Sequence, residues 1–277
     1  PKRPVEHQNS PAWPLDGLSA LCDHFNPLSF HETEPRDRLI CKWNFLEPLR
    51  HPASWPAMKT ALIIGNSGGI GSAMEGALVA RGVQVTGLSR SRDGLDVTDE
   101  ASVQRALGGL SGRFDLIFVA TGALEINGAA PEKTLRALDP KALADQFALN
   151  AMGPALVLKH ALPLLPRDDR SVFAVLSARV GSIGDNRLGG WYSYRTAKAA
   201  LNQLIHSAAI ELARTHRQLA CVCLHPGTVE TDFTRAYLGR HPAVPAPEAA
   251  ERLLDVITGL TPADTGRFLD YSGQEIP

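Results

Sequence analysis

Between Lys59 and Gly82 a short apolar run, Thr60-Ala-Leu-Ile-Ile64, breaks into a glycine-rich turn and reopens with helical spacing. The order is strand, turn, helix. Glycines at Gly65, Gly69 and Gly71 give the spacing G-x-x-x-G-x-G, with Gly68 in addition. Such a turn lets backbone N–H groups approach a pyrophosphate closely, and a helix beginning near Gly69 directs its positive end at the same anion. The G-x-G-x-x-G fingerprint would need a glycine at position 74, where Met74 stands, so the turn is a relative of that fingerprint. On its own it reads equally well as an ordinary glycine-rich loop, and the rest of the chain has to decide.

From Met58 onward strand-like and helix-like segments alternate. That pattern belongs to a parallel sheet covered by helices on both faces. After the first helix, Gly82 supplies a C-cap and residues 83–88 read as a strand. Residues 95–97 read as a short third strand and 114–120 as a buried fourth, with Asp99 capping a helix over 100–107 between them. The long segment 140–165 has helical spacing in its first half, and strands follow at 172–176, 219–224 and 267–271. Further helices fall at 194–213 and, with Pro247 in the first turn, up to Ile257. The expectation is an α/β fold: a Rossmann-type, doubly wound parallel sheet of about seven strands, formed by residues 58–277 as one domain.

Residues 1–57 read differently, holding Trp13, Trp43 and Trp55 of the four tryptophans and nine of the twenty prolines, with no sustained period. They are expected to be an irregular extension, poorly ordered or upstream of a natural start at Met58. The net charge of -1 gives no electrostatic footprint for nucleic acid or anionic lipid, and no run of apolar residues reaches membrane-spanning length. Cys22, Cys41, Cys221 and Cys223 lack the spacing of a zinc or redox site, so no metal is expected. Cys221 and Cys223 lie two apart in a strand and should share a face as unpaired thiols, which suits a reducing cytoplasm.

The chemistry concentrates at Tyr194-Arg-Thr-Ala-Lys198. Four residues apart on a helix, the phenol and the ammonium lie one turn apart on one face. A free tyrosine has a pKa of about 10, and a positive charge within about 4–6 Å lowers it by roughly 1–3 units, toward the range useful for proton transfer at neutral pH. About 20 residues beyond the glycine turn, where a carboxylate would accept from an adenosine ribose 2′-hydroxyl, stand Ser89 and Arg90. An arginine there suits a 2′-phosphate instead, with Arg92 as its substitute, so NADP is expected and NAD is the less favoured cofactor.

The glycine turn, Asp96, Asn150, Tyr-x-x-x-Lys and Pro226-Gly227 together resemble the short-chain dehydrogenase/reductase family over Met58 to Pro277. The stretch 179–195 is most similar to the C-factor and sniffer-type carbonyl reductase branch. The resemblance implies a homodimeric or homotetrameric oxidoreductase that moves a hydride between nicotinamide and the carbonyl or hydroxyl of a small organic molecule. It implies that Tyr194 exchanges the proton, that Lys198 also holds the nicotinamide ribose, and that Asn150 anchors a water in the relay. Asp96 would accept from the adenine amino group, and Thr228 and Thr231 would contact the nicotinamide amide and phosphate. Gly65, Ser67, Gly69, Ile70, Gly71, Val97, Gly122, Pro226, Gly227 and Val229 complete the cofactor contacts that it implies. Two departures stand out. The family's Asn-Ala-Gly after the fourth strand is Ala120-Thr121-Gly122 here. The serine three residues before the glycine of S-x-x-G falls, counted back from Gly181, on Ala178. Ser177, Ser182 or a backbone N–H is left to polarise the substrate carbonyl, and Ser177 is favoured because a hydroxyl ending a buried run needs a partner. A dinucleotide-binding signalling or sensor protein with little turnover is the alternative.

Overall fold

A computed structural model of the chain describes residues 58–237 and 243–277. The expectation for 1–57, and the middle of the segment that would face a substrate after position 231, lie outside the described residues. The strands described are β1 (Thr60–Ile64), β2 (Gln84–Leu88), β3 (Leu116–Val119), β4 (Ser171–Leu176), β5 (Leu219–His225), β6 (Val229–Glu230), β7 (Val244–Pro245) and β8 (Phe268–Asp270). Six of them form one sheet in the order β2-β1-β3-β4-β5-β8, and β6 pairs with β7 separately. Every pairing in the six-stranded sheet is parallel.

Side chains alternate between the faces of the sheet. Leu62, Ile64, Ile117, Val119, Phe173 and Val175 join one buried cluster, with α3 (Glu100–Gly108), α5 (Gly153–Ala161) and α6 (Tyr192–Leu212) supplying Val103, Val157 and Leu201. Ala61, Ile63, Leu116, Phe118, Val172 and Ala174 join the other, beneath Met74 of α1 (Gly69–Ala80) and Leu253 of α7 (Ala246–Gly259). Apolar on both faces, the central strands carry near-continuous hydrophobic runs, as a parallel sheet covered on both sides requires. Cys221 and Cys223 fall in the first cluster, on one face and unpaired, as their spacing predicts.

One expected strand is missing. Leu95 and Val97 are buried, but Asp96 Oδ1 accepts from the backbone N–H of Thr98 at 2.9 Å and its hydroxyl at 2.7 Å. That side-chain turn folds the backbone away from a ladder. Asp99 then caps α3 through Ala101 N, so β2 is the sheet edge and the sheet has six strands. Helix forms as expected at α4 (Pro140–Phe147) and continues into α5 through a π-helical turn at Ala148–Met152.

Strand registers align Ile64 with both Leu88 and Val119, and Val119 with Val175, so the carboxyl ends of the strands form one rim. The chain order reverses between β1 and β3, because β2 lies on one side of β1 and β3 on the other. In open α/β sheets, ligands bind outside the carboxyl ends at this kind of switch point.

Candidate active site

A groove of about 390 Å³ opens at the switch point. Gly65, Ser67 and Gly68 of the turn, Arg90, Asp96 and Val97 beyond β2, and Thr121 and Gly122 beyond β3 line it. The glycine turn fits as tightly as its spacing predicts. A Cβ on Gly71 would stand 2.2 Å from the Gly65 carbonyl oxygen, and one on Gly69 would stand 2.5 Å from Thr231 Cγ2. Gly65 has φ +93°, where side chains are disfavoured, and a Cβ there would stand 3.0 Å from the Ala120 backbone. Ile70 packs on the core beneath α1. Arg90 opens the short helix α2 (Arg90–Asp93), whose N-cap Ser89 is buried and accepts from Arg92 N. The Thr98 hydroxyl and N–H, with the Arg90 charge as a smaller influence, hold the Asp96 carboxyl below its usual range. The Thr121 hydroxyl is buried without a hydrogen-bond partner, which leaves an unsatisfied polar group at the groove wall. Glycines shaped for close approach, the Arg90 cation in the lining and this orphaned hydroxyl together fit a dinucleotide.

Tyr194, Lys198 and Asn150 come together beyond the groove. Lys198 Nζ lies 5.9 Å from the Tyr194 ring centroid and donates to the Leu176 carbonyl at 3.0 Å. A Cβ on Gly122 would be 2.6 Å from Asn150 Oδ1 and 3.7 Å from Lys198 Nζ, so Gly122 is where the two meet. Asn150 is fully buried in the π-helical turn, a feature that recurs at functional sites. Its Nδ2 donates to the Ala123 carbonyl at 2.9 Å and to Gln146 Oε1 at 2.6 Å, while Oδ1 accepts from Ala123 N. Gln146 was missed by sequence reasoning. A polar residue one turn before Asn150 on a buried helical face was the available signal.

The electrostatics differ from the expectation for the pair. Burial pushes the Tyr194 phenol above its ordinary pKa, rather than Lys198 lowering it. Burial also brings the Lys198 ammonium down to about 8. Desolvation disfavours the charged form of each group, and in this site it outweighs their mutual attraction. At neutral pH the arrangement therefore holds a protonated phenol beside an ammonium.

Neither candidate serine points a free proton into the site. Ser177 is buried and donates to Asn202 Oδ1 at 2.6 Å, while Ser182 donates to the Pro277 carbonyl and accepts from Asp185 N. A Cβ on Gly181 would lie 2.8 Å from Lys198 backbone and side-chain atoms, which explains why a glycine closes this turn against α6. Gly227, at φ +80°, follows Pro226 after β5, Thr228 accepts from Val244 N, and Val229 is buried in β6. Thr231 of this segment stands against Gly69 of the glycine turn. Phe233 and Tyr237 bring rings near Tyr194 and Trp191, and Tyr237 donates to Glu125 across the mouth. Among the described residues no cluster of His, Cys, Asp and Glu could hold a metal ion, and no helix is long and apolar enough to cross a membrane.

A parallel sheet with a glycine-turn groove at its switch point and a Tyr/Lys/Asn set beside it defines a dinucleotide-dependent oxidoreductase of the Rossmann type. The sequence model of the short chain dehydrogenase family matches residues 59–240, and the chain belongs to that family. Its members act on carbonyl and alcohol groups. The chain is 31% identical to a 1-hydroxy-2-glutathionyl-2-methyl-3-butene dehydrogenase of Rhodococcus sp. over 78% of its own length and 98% of that protein's. It is 38% identical to the C-signal protein of Myxococcus xanthus over 57% of its length and 95% of the relative's. A short-chain dehydrogenase/reductase of Burkholderia multivorans, solved with bound NADP, superposes with a TM-score of 0.65 at 27% identity, over 79% of this chain and 99% of that one. The Drosophila melanogaster carbonyl reductase Sniffer shares the fold with a TM-score of 0.64 at 21% identity, covering 79% and 99%. The chain is thus similar in sequence to the C-signal protein and in fold to Sniffer.

Proposed function

We propose that the protein is an NADP-dependent reductase of a small organic carbonyl, with Tyr194 as the proton donor. The observation that carries this reading is the buried, protonated Tyr194 beside Lys198, with Gly122 and Asn150 closing around the same amine. NADPH, when bound, supplies the hydride. Tyr194 Oη gives its proton to the oxygen that becomes the alcohol, and the Lys198 ammonium offsets the charge developing on the phenol. Asn150, fixed by Gln146 and Ala123, holds its amide beside Lys198, from which the proton is replaced. Gly65, Ser67, Gly69, Ile70 and Gly71 would cradle the pyrophosphate, Arg90 would hold the 2′-phosphate, and Asp96 and Val97 would take the adenine. Pro226, Gly227, Thr228, Val229 and Thr231 would hold the nicotinamide. Exposed apolar side chains at Phe147, Met152, Leu204 and Ile210 support association of copies into a dimer or tetramer, and unpaired Cys221 and Cys223 support a cytoplasmic setting. Binding of NADPH and NADH to the parent and to Arg90→Ala tests the cofactor assignment. The parent is expected to favour NADPH and the variant to lose that preference, whereas equal affinities in the parent would contradict it.

A second reading rests on one observation. With Ala178 at the family's serine position and the hydroxyls of Ser177 and Ser182 engaged elsewhere, neither serine is free to polarise a carbonyl. A dinucleotide-binding sensor or signal with little turnover would need neither.

A further inference from the structure

α6 carries both Tyr194 and Lys198, and its own Arg195 Nε donates to the carbonyls of Gly189 and Gly190 just before its start, at 3.2 and 3.0 Å, which leaves the N–H groups of Trp191 and Ser193 to another part of the chain. The N-cap residue is Trp191, which offers no capping side chain and sits at φ +53°, a conformation unusual for a bulky residue. Gly189 and Gly190 precede it at φ +62° and +65°, so three consecutive left-handed residues lead into the helix. The acceptors for the N–H groups of Trp191 and Ser193 come from a residue far away in sequence. Glu132 accepts from Trp191 N through its backbone carbonyl at 2.5 Å and from Ser193 N through Oε2 at 3.1 Å. Its Oε1 accepts from the Ser193 hydroxyl as well. Glu132 and Ser193 are 7% and 2% exposed, and a small cavity bordered by both also touches Tyr194 and Gln146. A carboxylate at a helix N-terminus satisfies first-turn donors and complements the helix dipole.

We propose that Glu132 is a positioning residue for the reaction, clasping the first turn of α6 so that the Tyr194 hydroxyl stands at the reacting oxygen. Tyr194 is the residue next to Ser193, so freeing Ser193 lets the phenol drift. A displacement of about 1 Å at a proton donor costs on the order of 10²-fold in rate. Cofactor binding at the glycine turn is left alone. The inference rests on Tyr194 being the proton donor.

The test compares Glu132→Ala, Glu132→Gln and Ser193→Ala with the parent and with Tyr194→Phe. The readouts are kcat, the solvent deuterium isotope effect on kcat, NADPH affinity from fluorescence titration, and thermal unfolding. Glu132→Ala is expected to lower kcat by about 10–10²-fold with a larger solvent isotope effect and NADPH affinity within twofold of the parent. Glu132→Gln, which keeps one acceptor oxygen, should recover most of the loss. Ser193→Ala, which removes only the hydroxyl contact, should fall between them. Parental kcat and isotope effect in folded Glu132→Ala, whatever its melting temperature, would overturn the proposal. So would a matched loss of kcat in Glu132→Ala and Glu132→Gln with an unchanged isotope effect. If Glu132→Ala does not fold, the graded loss between Glu132→Gln and Ser193→Ala, with raised isotope effects, supports the proposal and parental values in both overturn it. Parental turnover in Tyr194→Phe would instead refute the proton-donor reading itself.

Discussion

At Lys198 the same burial acts on two observables in opposite directions. In the free protein its pKa falls to about 8 from an ordinary 10.5, so between these values the unfolded chain holds a proton that the folded chain has released. Stability rises with pH wherever the unfolded state binds more protons, so this residue's contribution is fully present above 10.5 and lost as pH falls through about 8. Activity runs the other way, because the ammonium is the useful form. We expect kcat/KM to decline as pH rises through about 8, and Lys198→Arg, if active, to lose that limb; a parent profile flat to pH 10 would show that Lys198 keeps its charge. The serines give a second prediction at this scale. Ser177 would have to exchange Asn202 for a substrate to polarise it. Losing a carbonyl-polarising donor costs about 10²–10³-fold in turnover. Steady-state NADPH oxidation by Ser177→Ala and Ser182→Ala, set beside Tyr194→Phe, shows which hydroxyl acts. A loss of that size in Ser177→Ala is the outcome the sequence favours, and near-parental rates in it would move the donor elsewhere.

Among the elements, β1, the glycine turn and α1 were legible because local rules and tertiary role agree there: apolar run, glycines where the backbone closes, then helical spacing. The steric reason is visible only in three dimensions, since the Gly71 position faces the Gly65 carbonyl at a distance no side chain tolerates. Gly71→Ala is expected to destabilise by about 3 kcal/mol, as overpacking does, and to weaken dinucleotide binding more than tenfold. Denaturant unfolding and NADPH titration measure both; an unchanged midpoint would mean that the turn has room to relax. The segment 95–97 was misread because alternating apolar residues imply burial but do not say whether the backbone pairs. Leu95 and Val97 are buried as the pattern demands, yet the Asp96 side chain satisfies Thr98 in place of a neighbouring strand. The clasp at α6 left no readable mark, because Glu132 and Ser193 are 61 residues apart and neither type signals burial on its own.

For the whole molecule, the order of strands and helices carried the fold, and the switch point that it creates places the groove. The members of the candidate site that sequence spacing could join, Tyr194 with Lys198, are neighbours on one helix. Only the fold could bring Gly122 to the helical pair Gln146 and Asn150, because β3 and the π-helical turn end at one rim. Spacing also could not foresee that desolvation would keep Tyr194 protonated. The central claim is that this site turns over rather than merely binding dinucleotide. Its most direct test is transfer of deuterium from NADPH deuterated at the nicotinamide C4 into the alcohol products of a carbonyl panel, with parent and Tyr194→Phe side by side. The account predicts deuterated alcohol from the parent and a loss of about 10²–10⁴-fold in Tyr194→Phe, with NADPH affinity retained. Tight NADPH binding by the parent with no deuterium transferred to any carbonyl would contradict it and leave the sensor reading in its place.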